Sequence, residues 1–501
     1  MDAVLPEALQ DGIGKFIEFA YSFEPMAAPT VVLVPSFVKE AVANLAESAG
    51  QDYETVVYLL GMFLCYPLGL IMLALPYGKL KHLFSFILGA FLLQFTIGVQ
   101  WIHHLVSSLV AYAMFLMLPA KIAKTAVPIW MMVYITAGHL HRQYINYLGW
   151  DLDFTGPQMV LTMKLYALAY NLYDGQVIKS GKEERASKKC AGVAVAEVPG
   201  IIEYLGYSFC FATVLAGPAY EYKYYADACD GSRLYDKNGK PLGKIPSNIW
   251  PTLRPLLGSL IFLGLFVVGN GKYPLLDPTD PQNNTPVLIA AEQLAKPMYE
   301  RYAYSWLALV CIRFRYYFAW MNAEGANNIW FAGFEGFDDK GNAKGWEVSN
   351  NMDPVKFETA PNLKTLSSVW NKKTANWLAK YVYIRTNGSL LATYGMSAFW
   401  HGFYPGYYLF FMSVPLIAFC ERIGRKKISP RFDSGNPWGW YSIVCRLTTS
   451  LIVQYMIQPF QLLAFDWSIT NWKGYYFAGH LACIVFYAVV SQLPTPKKKE
   501  A

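Results

Sequence analysis

Charge is scarce in this sequence. Asp, Glu, Lys and Arg make up 15% of its 501 residues, against roughly 25% in an average soluble protein. A soluble chain of this length would need more charge to cover the surfaces of several domains, so that class is excluded. Cysteine offers no framework either. The eight cysteines are scattered and none forms a CxxC pair, which argues against a metal or disulfide scaffold. No repeat of 20–50 residues, dinucleotide fingerprint, Walker loop or zincin motif occurs, so solenoids and the common nucleotide and zinc enzymes fall away. Residues 1–30 carry Asp2, Glu7, Asp11 and Glu18 and lack a basic-then-apolar start, so no cleavable signal peptide is expected.

What is abundant is apolar and aromatic: 54% hydrophobic residues and 16% Phe, Trp and Tyr. A membrane span takes about 20 predominantly apolar residues. Residues 56–75 form such a run, and 82–120 hold no Asp, Glu, Lys or Arg, a length for two spans. Further candidates are 125–141, 204–220, 255–271, 390–420, 447–465 and 474–496. The pattern predicts an all-α polytopic membrane protein with on the order of nine to eleven membrane helices, some broken or re-entrant. The net charge of +7 gathers in short loops, at Lys79 and Lys81, Lys121 and Lys124, 179–189 and 422–427. That is a positive-inside distribution rather than a nucleic-acid footprint.

The expected organisation is a peripheral segment 1–50, amphipathic over 34–45; one transmembrane domain over 51–496; and a basic tail, 497–501. Within the domain, 176–198, 228–248 and 272–288 read as loops. Segment 322–389 is polar yet keeps Trp330, Trp346, Trp370 and Trp377. It predicts short interfacial helices across the mouth of a cavity, because tryptophan favours the membrane–water interface.

The run 390–420 contains His401 as its only readily ionisable side chain. An ionisable residue inside an apolar run is costly and marks a functional candidate. Gly395, Ser397 and Ala398 precede it, and Gly402, Pro405 and Gly406 follow, which predicts close helix approach and then a kink beside a cavity. A structural histidine donating to a backbone carbonyl is the competing reading. His82, His103, His104, His139, His141 and His480 fit that description better.

Two stretches go further. WNKKTANWLAKYVYIR (370–385) and SAFWHGFYPGYYLFF (397–411) resemble the asparagine and histidine motifs of the membrane-bound O-acyltransferases, within them the lysophospholipid acyltransferase branch. DFTGP (153–157), YDG (173–175), 203–225, RYYFAW (315–320) and NNIWFAGFEGF (327–337) are similar to other parts of that family. The family often has Trp-Asp where this chain has Trp346-Glu347.

The resemblance implies a helical bundle around a tunnel and a catalytic pair, His401 and Asn371. It also implies acyl-CoA and a lysophospholipid as substrates, with no metal and no cofactor beyond the donor's CoA. Acyl transfer to an alcohol suits these residue types: a neutral imidazole removes the hydroxyl proton, and an amide steadies the developing oxyanion. Asn371 by itself also reads as a helix N-cap for 372–381. Thr374 and Trp377 share a helix face with Asn371 and position it. Trp370, Tyr316, Tyr317, Ser397 and Trp400 are candidates for the substrate path. Arg313 and Arg315 interrupt an apolar run, and either pair with a CoA phosphate or snorkel to the interface.

The rival readings are another branch of the same family, acting on diacylglycerol, sterols or proteins, and a transporter using His401 as a proton relay. Lys498 and Lys499, with Lys497 before them, resemble a dilysine retrieval signal, which implies an endoplasmic reticulum membrane location, and read equally as a basic stop after the last span; both readings put the tail in the cytosol. Asn283-Asn284-Thr285 is a glycosylation sequon.

Overall fold

The computed structural model describes residues 15, 34–149, 151–182, 186–277, 285–433 and 435–496. The tail lysines and Asn283 lie outside the described residues, as does most of the segment 1–33. All regular secondary structure among the described residues is helical, with three isolated bridges. Among the described residues, four stretches are long and apolar enough to cross a membrane: Tyr53–Ala74, Lys79–Met117, Ile249–Lys272 and Pro405–Lys427. The pair Phe465–Gly474 and Ala478–Gln492, bent by 67°, makes a fifth if it is one broken span. The amphipathic expectation for 34–45 is met by a helix, Ser36–Ala49, whose Val42 and Ala46 pack on Val56 and Val57.

The chain forms two compact units. One holds residues up to Leu260 together with Phe318–Asn350; the other holds Ile261–Tyr317 and Asn351 onward.

In the first unit the helices close on one another at glycines. A Cβ on Gly89 would lie 1.5 Å from the Phe209 carbonyl oxygen, and one on Gly206 would lie 2.6 Å from that of His82. Ser85 Oγ donates to Gly206 O across the same seam at 3.0 Å. Lys79–Ile97 and Ile201–Ser208 therefore meet backbone to backbone, the close approach that small residues permit between apolar helices. Tyr53–Ala74 starts on Asp52, whose carboxylate accepts from Thr55 N at 2.7 Å.

The structure corrects two expectations here. Residues 204–220 are not a span. The helix stops at Ser208, and buried turns follow. Irregular backbone survives in such surroundings only if its polar groups find partners, and side chains supply them. His104 Nε2 meets Ser208 O at 3.1 Å, Lys164 Nζ donates to Tyr207 O at 2.9 Å, and Asn327 Nδ2 donates to Ala212 O at 3.0 Å. Second, the polar segment does not turn into short helices at 322. The helix Met298–Ile329 runs on, and the two asparagines near its end, Asn327 and Asn328, are buried and bonded. Asn327 Oδ1 accepts from Tyr220 OH at 2.9 Å, and Asn328 Nδ2 donates to Pro251 O at 2.7 Å. The short helices begin at Pro354.

The second unit centres on Ile417, Cys420, Tyr455, Met456, Trp472, Tyr475 and Cys483. A polar thread crosses it: Asn471 Nδ2 donates to Gln458 Oε1 at 2.6 Å, and Gln458 Nε2 donates to Ser305 Oγ at 3.1 Å.

The glycine seam is testable. Gly89→Ala must push the Phe209 backbone away, and overpacking of this kind costs about 1–3 kcal/mol or more. Gly264→Ala, where a Cβ meets nothing within 4 Å, should be neutral or stabilise by about 0.5–1 kcal/mol. Thermal melts of the two purified variants in detergent should move in opposite directions from wild type, or only Gly89→Ala should fall.

Candidate active site

The histidine helix, Leu390–His401, begins on Ser389, whose hydroxyl accepts from Ala392 N at 3.1 Å. It ends at the histidine because Gly402 sits at φ 116°, ψ −162°, a conformation open to glycine and strained for other residues. The kink expected just past the histidine within 390–420 is thus a full break, and the second helix, Pro405–Lys427, opens with proline in its first turn. Gly406 N donates to Leu463 O at 2.7 Å, and a Cβ there would lie 2.0 Å from Pro459 O. This contact seats the end of Trp440–Leu462 under the histidine.

His401 is half-buried in an aromatic box. Its ring centroid lies 4.7 Å from Trp400, 5.0 Å from Phe460, 5.4 Å from Phe411 and 5.5 Å from Tyr407. Phe460 meets it edge-on at 85°, and Phe411 is near-parallel at 24°.

Asn371 adopts a left-handed backbone, φ 43°, ψ 53°, which Asn tolerates better than most side chains. It stands at the N-cap of Lys372–Leu378, yet its side chain makes no cap bond. Asn351 does that work: its Oδ1 accepts from Lys373 N at 2.9 Å and its backbone oxygen from Lys372 N at 2.9 Å. Asn351 Nδ2 also donates to Asn371 Oδ1 at 3.1 Å. Among the described residues, the Asn371 amide nitrogen therefore keeps its own donors uncommitted.

The two motifs meet through tryptophans. Trp377, from the asparagine motif, and Trp400, beside the histidine, are both buried, with ring centroids 6.2 Å apart. Thr374 and Ser397 are buried as well.

Upstream, Arg313 turns inward and does not snorkel. It is buried and grips Glu358 with Nε at 3.0 Å and Nη2 at 2.9 Å. Tyr317 is fully buried and donates to the same carboxylate at 2.6 Å. Tyr317 thereby braces the short helix that ends in Glu358. Trp370 packs on Tyr316, Tyr317 and Phe357, at 5.8, 6.1 and 4.9 Å. Arg315 lies over the ring of Tyr316, 5.1 Å from its centroid, and its Nη2 donates to the hydroxyl at 3.3 Å. Beside the Arg313–Glu358 pair is a cavity of about 20 Å³, bounded also by Gln454 and Ser450, a volume for one water. Asp353 caps Pro354–Glu358. Burial pushes its carboxyl up, but bonds from the Lys356 side chain and backbone outweigh that and leave it below its ordinary value.

Residues 140–465 match the profile of the MBOAT, membrane-bound O-acyltransferase family. That span exceeds half of the chain and holds both motifs. The chain belongs to this family.

Relatives within it are similar along most of the sequence. Lysophospholipid acyltransferase 6 of Drosophila melanogaster is 33% identical over 423 residues, 81% of this chain and 56% of that protein. The chain thus spans little more than half of the Drosophila relative's length. The lysophospholipid acyltransferase of Schizosaccharomyces pombe is 31% identical, covering 85% of this chain and 84% of its own length. Human membrane-bound glycerophospholipid O-acyltransferase 2 is 28% identical, at 84% and 80%.

Two residues of this membrane-bound O-acyltransferase escaped sequence reading, Asn351 and Glu358. Each lies in the polar segment with no motif of its own. The signal available was the Asn350-Asn351 pair ahead of Asp353-Pro354, which reads as a turn and not as a partner for a residue 20 positions on. Asn351→Ala should cost about 1 kcal/mol as a lost cap and speed amide hydrogen exchange in a peptide covering 371–378. Asn362→Ala, which removes the cap on Thr365 N, should speed exchange in 363–369 and leave 371–378 unchanged.

Proposed function

We propose that the chain is an acyl-CoA-dependent lysophospholipid O-acyltransferase that returns lysophospholipids to phospholipids. His401 is its general base and Asn371 its oxyanion donor. The observation that carries the reading is the junction of the two motifs: Trp377 on Trp400, with the histidine next in sequence and the asparagine six residues before Trp377. The names of the fly and fission-yeast relatives support the acceptor class.

In this mechanism His401 takes the proton of the acceptor hydroxyl as its oxygen attacks the thioester carbonyl. The Asn371 amide donates to the oxygen as charge develops there. The tetrahedral species collapses, the carbon–sulfur bond breaks, and the imidazolium returns its proton to the leaving thiolate. No acyl-enzyme is formed. The aromatic box suits the base: Trp400, Tyr407, Phe411 and Phe460 surround the imidazole and limit water around it. The bundle is completed to nine to eleven membrane helices around a tunnel, which keeps the acyl chain in apolar surroundings and the CoA head in water. The enzyme resides in the endoplasmic reticulum membrane with a cytosolic carboxyl end.

His401→Ala should lower turnover by about 10² to 10⁴, and Asn371→Ala by about 10² to 10³, in radiolabelled acyl-CoA assays with lysophospholipid. The double variant should be little worse than either single one, since both act on one transition state. His103→Ala and His139→Ala should keep most activity. A folded His401→Ala with more than about a tenth of wild-type turnover would refute the base assignment. Offering diacylglycerol and sterol in parallel separates the branches of the family; preferential use of either would overturn the acceptor assignment.

The sidedness has its own test. Protease added to sealed microsomes should remove a carboxyl-terminal tag. A protected tag would place that end in the lumen.

A further inference from the structure

A recess in the second unit lies apart from both motifs. It encloses about 510 Å³ and is bounded by Leu294, Lys296, Pro297, Arg301, Lys473 and Gly474, among others. That size falls in the range of small-ligand sites.

Its charge is one-sided. The three charged side chains in its wall are all cations, and no carboxylate belongs to the lining. Arg301 is the telling one. It is 8% exposed. Its guanidinium donates to the backbone oxygens of Gly474 and Leu294 and rests on the ring of Tyr475, 5.2 Å from the centroid. Its Nε has no hydrogen-bond partner among the described residues. No Asp or Glu pairs with Arg301, Lys296 or Lys473 among those residues. Lys296 instead donates to Gln293 Oε1 at 2.9 Å.

A buried guanidinium is normally matched by an anion, because desolvating the charge is otherwise expensive. The contrast within this unit is direct: Arg313, equally buried, has Glu358 bound bidentately. Arg301 has carbonyl dipoles and a ring face but no counter-charge, beside a cavity with two exposed lysines at its edge.

Apolar residues share the rim with the lysines: Leu294 and Pro297 line it, and Met298 and Tyr476 are 48% and 77% exposed there. An exposed tyrosine beside cations is the surface expected at the head-group level of a bilayer.

We propose that this recess is a binding site for a phosphate-bearing anion, held by Lys296 and Lys473 over the buried charge of Arg301, and that the phosphate is that of a membrane phospholipid head group. The site is separate from acyl transfer and does not depend on the assignment of His401.

The test uses the full chain, purified and delipidated in detergent. Thermal stability is read with dioctanoyl phosphatidylglycerol, with dioctanoylglycerol, which has the same tails and no phosphate, and with inorganic phosphate. The phosphatidylglycerol should raise the melting temperature and dioctanoylglycerol should not. Lys296→Ala/Lys473→Ala alters exposed side chains, so its ligand-free melting temperature should match wild type, and its apparent affinity for phosphatidylglycerol should fall by about tenfold or more.

Stabilisation by inorganic phosphate, lost in the variant, would support the site and identify the free anion as sufficient. No response to phosphate with a full response to phosphatidylglycerol would identify the lipid. Equal shifts in wild type and variant, or no shift with either ligand, would overturn the proposal. Acyl transfer by the variant should stay at the wild-type rate. A failure of the His401 assignment would instead appear in His401→Ala, with phosphatidylglycerol binding unchanged.

Discussion

The hydrogen bond from Gly406 N to Leu463 O, at 2.7 Å, is the contact on which the histidine's surroundings depend. It forms only because position 406 has no Cβ; one placed there would meet Pro459 O at 2.0 Å. The close approach brings Phe460 to the face of His401. Gly402 supplies the turn that separates the histidine helix from the next, so His401 is the last helical residue before a break. A single continuous helix through this region would carry the imidazole past that corner. Two glycines and one proline, closely spaced in sequence, therefore shape the local framework of the site.

The asparagine side follows a different logic. A helix start leaves N–H groups without partners, and here the obvious candidate does not satisfy them. Asn351 takes the cap, and in the same act its amide holds Asn371 Oδ1. This division of labour orients Asn371 and leaves its amide nitrogen free to donate. Behind it, Arg313 and Tyr317 converge on Glu358. Trp370 packs on Tyr317 and Phe357 immediately before the asparagine. The short helices between Pro354 and Leu378 are held by these buried polar and aromatic contacts more than by their own length, which is too small for helices stable alone.

The first unit applies the same rule to the backbone. Around residues 207–213 the chain abandons helix while still buried. Side chains of Lys164, His104 and Asn327 stand in for the water that is missing. Each of those side chains comes from a distant helix, so no local pattern announces them. Apolar composition alone reads 204–220 as a span, and the polar asparagines of 322–329 read as interfacial. Both readings miss because they score a residue by its type, whereas the burial of a polar group depends on whether a partner meets it.

From the sequence alone came the helical membrane class, most of the long apolar helices, the break after His401 and the two motifs with their family. These are set by run length, by the backbone preferences of glycine and proline, and by residue order, all of which are local. Tertiary structure decided which polar groups were matched: Asn351 against Asn371, Glu358 between Arg313 and Tyr317, and Arg301 without a carboxylate. It also decided that Trp377 and Trp400 would touch. Such pairings span 20 to 173 residues. They depend on where whole helices stop and how closely they pack, and a linear reading of residue types carries neither quantity.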